Sequence, residues 1–268
     1  MRDAYPVEDR GRARGPREWA ARVALGIFTA VVVTAETTAL LVSMEVSVAC
    51  YAGLLVALLN LPLIVRSLTA QERAVVMGLA LVPALKIAAV ALPQGFIPAR
   101  YWEALPALMA LALVFALGMF AGPSLSAART AWIRLREREQ LAIVAAGPVM
   151  AGAAAAWYSA VNSGIGMPGL VASSTSALAT AALSGVALEI VFRGVIQASL
   201  IPVLGRAFGV AVSSFLYAAL FIGSGSSFLF VLALVTGAVW GTVAATARTV
   251  TGVAVSHALF AMFWVVLY

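Results

Sequence analysis

Charged residues are scarce in this 268-residue sequence, at 10% of the total, whereas 63% of the residues are hydrophobic. Soluble domains carry about 25% charged residues, so a chain of this composition cannot cover a water-facing surface. The charges also cluster, which leaves apolar runs of about 20 residues, the length that crosses the hydrocarbon core of a bilayer. The composition therefore excludes a soluble globular protein and predicts an integral membrane protein.

Cysteine, histidine and lysine are almost absent, with Cys50, His257 and Lys86 as the single residue of each type. One cysteine cannot form an internal disulfide, and we interpret Cys50 as a small buried hydrophobe. One histidine rarely completes the three or four ligands that a metal site needs. We therefore expect no metal site.

Nine apolar segments are candidates for transmembrane helices. Each should be helical, because lipid offers backbone groups no other hydrogen-bond partners. The predicted spans are residues 22–43, 47–65, 74–93, 105–126, 141–161, 170–200, 207–224, 228–247 and 250–267. The predicted fold class is all-α, a polytopic bundle of eight or nine transmembrane helices. The number of transmembrane helices, eight or nine, stays open because the boundaries between spans 1 and 2 and between spans 6 and 7 are short.

The arginines predict the orientation of the chain. With the N-terminus inside, fourteen arginines fall on the cytoplasmic side and only Arg100 falls on the other side. This asymmetry is a strong positive-inside signal. It predicts a multi-pass protein of the cell membrane with a cytoplasmic N-terminus and membrane lipids as partners. Because the formal net charge of +6 comes mostly from arginines that flank spans, we expect no nucleic-acid partner. The bias to alanine, valine and arginine suggests a bacterial genome.

Three regions follow from this organisation. Residues 1–21 form a basic cytoplasmic segment, residues 22–140 hold the first four spans and a basic loop, and residues 141–268 hold the last five. The sequence shows no convincing internal repeat, which disfavours an inverted-repeat transporter.

Five ionisable residues fall within predicted spans, where they are costly and are functional candidates: Glu36, Lys86, Glu189, Arg193 and His257. Glu36 and Lys86 are predicted to pair across the first and third spans, and a structural clasp is the favoured interpretation. Glu189 and Arg193 lie four residues apart, so they share a helix face and can pair. The spacing alone does not distinguish a structural ion pair from the edge of a polar cavity.

Four motifs follow one another in the last third of the chain. They are Glu189-Ile-Val-Phe-Arg193-Gly194, Tyr217-Ala-Ala-Leu-Phe221, Gly237-Ala-Val-Trp-Gly241 and Gly252-Val-Ala-Val-Ser-His257-Ala-Leu-Phe-Ala261. Their order and spacing over residues 170–268 resemble the CPBP family, the CAAX-prenyl-protease-like and bacteriocin-processing intramembrane endopeptidases. The resemblance implies a membrane-associated or prenylated peptide or protein as substrate, and no cofactor.

In that family, the first glutamate of a pair and the second-motif histidine are thought to activate a water molecule. The last histidine and an Asn or Asp partner are thought to stabilise the oxyanion. This sequence carries Leu188, Phe221 and Ala261 at three of these four positions, so only His257 remains. The resemblance therefore leaves Glu189, Arg193 and His257 as candidate catalytic residues.

Three interpretations remain open. The favoured one is a pseudoenzyme that keeps the fold and serves as a membrane scaffold or binding partner. The second is an active membrane peptidase in which Glu189 acts as the base and His257 polarises the scissile carbonyl. Against the second, Glu189 points about 100° away from position 188 on a helix, and pairing with Arg193 would weaken it as a base. The third is a transporter-like protein.

Overall fold

Helices form every regular element in the part of the chain that the structure describes. This computed structural model describes residues 16–91, 108–109, 111–115, 137–161, 175–247 and 249–267. In chain order the elements are α1 (Pro16–Leu41), α2 (Met44–Ile64), α3 (Ala70–Leu79), α4 (Leu81–Ala91), α5 (Glu137–Val161), α6 (Thr175–Glu189), a π-helical segment (Ile190–Gln197), α7 (Ala198–Leu204), α8 (Arg206–Ala219), a 3₁₀ turn (Ile222–Ser224), α9 (Ser227–Ala247) and α10 (Thr251–Leu267). The all-α prediction is confirmed.

The described helices make this a multi-pass membrane protein. Seven stretches within the described ranges are long and apolar enough to cross a bilayer, and Thr251–Leu267 is a shorter apolar helix of 17 residues. These eight correspond to eight of the nine predicted spans. The remaining prediction, residues 105–126, falls mostly outside the described residues. Predicted spans 1 and 2 are separate helices, because Ser43 caps α2 by accepting a hydrogen bond from the Val46 amide.

The predicted span over residues 74–93 consists of two helices, α3 and α4, joined at Ala80. Pro83 lies in the first turn of α4 and has no N–H to donate to the Leu79 carbonyl, so the helical hydrogen-bond pattern is interrupted there. The α3 helix begins earlier than predicted, because Thr69 and Glu72 form a capping box that satisfies its first amides.

The last helix, α10, packs against both α5 and α6, and glycines allow the close approach. A Cβ atom on Gly185 of α6 would lie 2.9 Å from the Ala258 nitrogen. A Cβ atom on Gly147 of α5 would lie 2.9 Å from the Ser256 carbonyl carbon. Both obstacles are backbone, which cannot move aside as a flexible side chain can. Small residues therefore set the positions of α5 and α6 around the segment of α10 that carries His257.

We expect Gly147→Ala to destabilise the protein by about 1–3 kcal/mol, because the added methyl group forces α5 away from α10. Gly152→Ala is the matched control, since it lies on the same helix and a Cβ atom there meets nothing within 4 Å. The measurement is the unfolding midpoint of each variant in detergent. Equal midpoints for the two variants would contradict the proposed close contact.

Candidate functional site

A cavity of about 590 Å³ lies among α4, α6, α8, α9 and α10. The four positions that the family resemblance singles out, Leu188, Phe221, His257 and Ala261, all line this one cavity. They come from three separate helical regions of the chain, so their convergence is a property of the tertiary structure. Three of the four side chains are apolar and cannot donate or accept a proton.

The rest of the cavity wall is also mostly apolar. Polar lining comes from Ser184, Tyr217 and Thr236 in addition to His257, and no carboxylate is among the described lining residues. The Thr236 hydroxyl donates to the Leu232 carbonyl within its own helix, at 2.8 Å, which reduces its availability to a ligand. The cavity therefore offers one imidazole and a few hydroxyl groups to whatever occupies it.

Glu189 lies next to the cavity position Leu188 but does not line the cavity itself. Its side chain is fully buried, and its two oxygen atoms face two different partners. His257 Nδ1 lies 2.7 Å from Oε1, and Arg193 Nε lies 3.2 Å from Oε2. The Arg193 contact is a charge–charge contact that does not meet hydrogen-bond geometry. The prediction that Glu189 and Arg193 pair is confirmed, and the structure adds His257 as the second partner of Glu189.

His257 is held from three directions. A carboxylate can only accept, so Nδ1 carries a proton and donates it to Glu189. The ring stacks on Trp240, with 4.1 Å between centroids and an angle of 24° between planes. The Tyr217 hydroxyl lies 3.5 Å from Nε2, at the long limit for a hydrogen bond. Trp240 is fixed in turn, because its indole N–H lies 3.3 Å from the Ser256 hydroxyl, to which it donates.

Arg193 belongs to the π-helical segment and reaches the neighbouring helix α9. Its Nη2 donates to the Gly237 carbonyl at 3.0 Å, and its guanidinium lies 5.0 Å from the centre of the Tyr217 ring. Four residues later, the Gln197 amide donates to the Gly241 carbonyl at 2.9 Å. Arg193 and Gln197 are four residues apart, and so are the two carbonyls that accept from them. The two side chains therefore form two equivalent hydrogen bonds between the π-helical segment and α9.

Both glycines lie where α9 closely approaches neighbouring side chains. A Cβ atom on Gly241 would lie 2.8 Å from the side-chain oxygen Oε1 of Gln197, and one on Gly237 would lie 3.2 Å from the Tyr217 ring. Gly237 and Gly241 belong to the third of the four motifs, and the structure places both where α9 approaches the π-helical segment and α8. Gln197 and Trp240 were not singled out from the sequence. The available signal for Gln197 was its position four residues after Arg193 on the same polar face.

A second buried polar cluster lies outside the four motifs. Glu36 is fully buried, and Lys86 Nζ lies 2.8 Å from its Oε2 atom, so the predicted pair across the first and third spans is confirmed. The Tyr51 hydroxyl donates to Oε1 at 2.6 Å, and the Gly223 amide donates to Oε2 at 3.1 Å. Lys86 also donates to the Leu220 carbonyl at 3.2 Å.

This cluster connects the N-terminal helices to the turn after α8, directly beside the cavity position Phe221. Glu36 lies on α1, Tyr51 on α2 and Lys86 on α4, whereas Gly223 lies in the 3₁₀ turn. A Cβ atom on Gly223 would lie only 2.5 Å from Glu36 Oε2, so a side chain cannot be added there without displacing the carboxylate. The predicted clasp thus holds one wall of the cavity.

Within the described ranges, no group of three or more His, Cys, Asp or Glu residues is arranged to hold a metal ion. The chemistry that the arrangement offers is therefore a single, tightly oriented imidazole at the edge of an apolar chamber. Its Nε2 atom is the one ring nitrogen not engaged by Glu189.

Comparisons with known proteins give one match. No curated protein and no solved structure matches this chain. The family model described as type II CAAX prenyl endopeptidase, Rce1-like, matches residues 170–263. That range contains all four motifs and four of the five helical regions that surround the cavity. This match to residues 170–263 confirms the resemblance to the CAAX prenyl endopeptidases that the motifs indicated.

Proposed function

We propose that this membrane CAAX-protease-like protein is a pseudoenzyme, which keeps the cavity of an endopeptidase and binds a ligand there without hydrolysing it. The observation that carries the proposal is the single cavity at which Leu188, Phe221 and Ala261 stand beside His257. Peptide hydrolysis by water needs a general base and donors aimed at the developing oxyanion. Three of the four cavity positions provide neither.

The position of Glu189 supports the same conclusion. A general base must come within hydrogen-bond reach of the water that it activates. Glu189 is fully buried outside the cavity lining, and both of its oxygens already face a cation or a ring N–H. Its role in this proposal is to hold His257 and Arg193 in place. The bound ligand would be a membrane-associated or prenylated peptide or protein, in keeping with the family match.

The rewired peptidase is the second candidate function, and one observation favours it. The 2.7 Å contact between Glu189 and His257 Nδ1 orients the imidazole with Nε2 toward Tyr217 and the cavity. An imidazole held in this way by a carboxylate can exchange a proton through its other nitrogen. These roles differ from those expected from the sequence, in which Glu189 is the base and His257 polarises the scissile carbonyl. In the arrangement that the contact favours, His257 performs the proton transfer and Glu189 orients it.

A peptidase assay on the purified protein in liposomes separates the two functions. A mixed peptide library is incubated with the wild-type protein and with His257→Gln, and the products are identified by mass spectrometry. We expect no difference between them. A working site would lose roughly 10²–10⁴-fold in rate when its proton-transfer residue is removed, so such a loss would overturn the pseudoenzyme proposal.

A variant that restores the three missing side chains tests whether their loss explains the expected absence of hydrolysis. Leu188→Glu, Phe221→His and Ala261→Asn are combined in one chain, because all three positions line the same cavity as His257. We expect this variant to cleave library peptides above the wild-type level. Its cleavage also shows that the assay detects hydrolysis in this scaffold. The same triple variant with His257→Gln is the matched control.

A further inference from the structure

Buried polar atoms that have no hydrogen-bond partner among the described residues gather where the π-helical segment meets α8 and α9. They include the side-chain oxygen Oε1 of Gln197, the hydroxyl oxygen of Ser214 and the terminal nitrogen Nη1 of Arg193. All three residues are at most 2% exposed. A buried polar group without a partner destabilises the folded state, so nearly all such groups in folded proteins are hydrogen-bonded.

The backbone of α9 shows that these atoms lie close together. A Cβ atom on Gly241 would lie 2.8 Å from Gln197 Oε1 and 3.3 Å from the Ser214 hydroxyl oxygen. The two oxygens are therefore at most about 6 Å apart, a distance that one water molecule spans with two hydrogen bonds of about 3 Å. One helical turn earlier, a Cβ atom on Gly237 would lie 3.4 Å from both Arg193 Nη2 and the Ser214 Cα atom. The guanidinium thus borders the same place.

The neighbouring polar atoms of two of these side chains are already engaged. Gln197 Nε2 donates to the Gly241 carbonyl at 2.9 Å, and Arg193 Nη2 donates to the Gly237 carbonyl at 3.0 Å. These two bonds fix both side chains, so neither can turn its remaining atom toward another protein group without losing a bond. The remaining atoms therefore require a partner from outside the chain.

We propose that a water molecule is bound among Gln197, Ser214 and Arg193 as a permanent part of the structure. The chemistry of the three groups selects water. The amide oxygen can only accept, the guanidinium can only donate, and the hydroxyl can do either. Water both donates and accepts, and a buried water typically makes about three hydrogen bonds. A metal cation would be repelled by the guanidinium, and a halide would be repelled by the amide oxygen.

The bound water joins three helical elements. Gln197 and Arg193 belong to the π-helical segment, Ser214 belongs to α8, and the water lies against the glycines of α9. Tyr217, which lines the cavity, follows Ser214 by one helical turn on α8. The water therefore stabilises the packing that supports this wall of the cavity. This inference is independent of the proposed function, because it concerns the support of the cavity and not its ligand.

A high-resolution structure tests the site directly. The full-length protein is crystallised in a lipidic mesophase that contains bromide, and data are collected at the bromine absorption edge. We expect a density peak about 2.5–3.2 Å from both Gln197 Oε1 and the Ser214 hydroxyl oxygen, without anomalous signal. An anomalous peak would assign the site to a halide. That result, a direct hydrogen bond between the two side chains, or no peak where other internal waters are resolved would each overturn the proposal.

A double-mutant cycle tests the same bridge in detergent, by reversible unfolding in SDS. Gln197→Met removes the acceptor and Ser214→Ala removes the hydroxyl. Because the water joins the two groups, we expect them to be coupled by about fivefold in the unfolding equilibrium constant. The matched control pairs Gln197→Met with Ser213→Ala, since the Ser213 hydroxyl donates directly to the Phe192 carbonyl at 2.9 Å. Additive losses in the first cycle, or equal coupling in both cycles, would contradict a water shared by Gln197 and Ser214.

Discussion

Glu189→Ala is expected to destabilise the protein by about 3–5 kcal/mol, the usual cost of leaving one member of a buried ion pair alone. Arg193 would remain almost fully buried at 2% exposure with its counter-charge removed. His257 would lose the acceptor of its Nδ1 proton at the same time. The expected result is a large fall in the unfolding midpoint in detergent and in the yield of folded protein.

The double variant Glu189→Leu with Arg193→Met distinguishes an uncompensated charge from a general packing defect. Replacing both members of a buried pair with apolar residues of similar volume is often neutral, so we expect the double variant to recover most of the lost stability. Glu139→Ala, which removes an exposed carboxylate at the start of α5, is the control. A double variant no more stable than Glu189→Ala would mean that charge compensation does not explain the loss.

Glu36→Ala should have a comparably large effect, again about 3–5 kcal/mol, because the carboxylate is fully buried and Lys86 would lose its counter-charge. Tyr51 and the Gly223 amide would lose their acceptor as well. Tyr51→Phe removes only one hydrogen bond to a charged group, so we expect a smaller cost of about 1.5–3 kcal/mol. Unfolding midpoints in detergent measure both.

A double-mutant cycle on Glu36 and Lys86 tests whether the two charges are coupled. We expect Glu36→Leu with Lys86→Met to be more stable than Glu36→Ala alone, since no charge is left unpaired. Additive losses would show that the two residues contribute independently, contrary to the 2.8 Å contact. Loss of the clasp should also loosen the turn beside Phe221, which a rise in amide hydrogen exchange over residues 220–225 would reveal.

Much of the site could be predicted because helical spacing is a local property. The four-residue separation of Glu189 and Arg193 places both on one face of a helix whatever surrounds them. The Glu36–Lys86 pair was predictable for a different reason: two opposite charges in lipid have few other partners. The single histidine was a candidate because an ionisable side chain within a membrane span has a high free-energy cost. None of these arguments required the positions of neighbouring helices.

The second partner of Glu189 could not be predicted in this way. His257 lies 68 residues further along the chain, and only the packing of α10 against α6 brings its Nδ1 to 2.7 Å from the carboxylate. The stacking of His257 on Trp240 and the contact of Gln197 with Gly241 also depend on how α9 is placed. The π-helical segment was not predicted, because so short a change in backbone pattern leaves no periodic signal in the sequence.

The sequence by itself determined that the protein lies in a lipid bilayer, that its fold is helical, and which chemical groups its side chains carry. Apolar runs between clustered charges require helices in a bilayer, and the residues at positions 188, 221 and 261 are apolar wherever they lie. Only the tertiary structure decided that these positions meet His257 in one cavity and that Glu189 stays outside it. The physical reason is that composition and spacing act along one helix, whereas a cavity is made by several helices whose close approach depends on glycines such as Gly147 and Gly185.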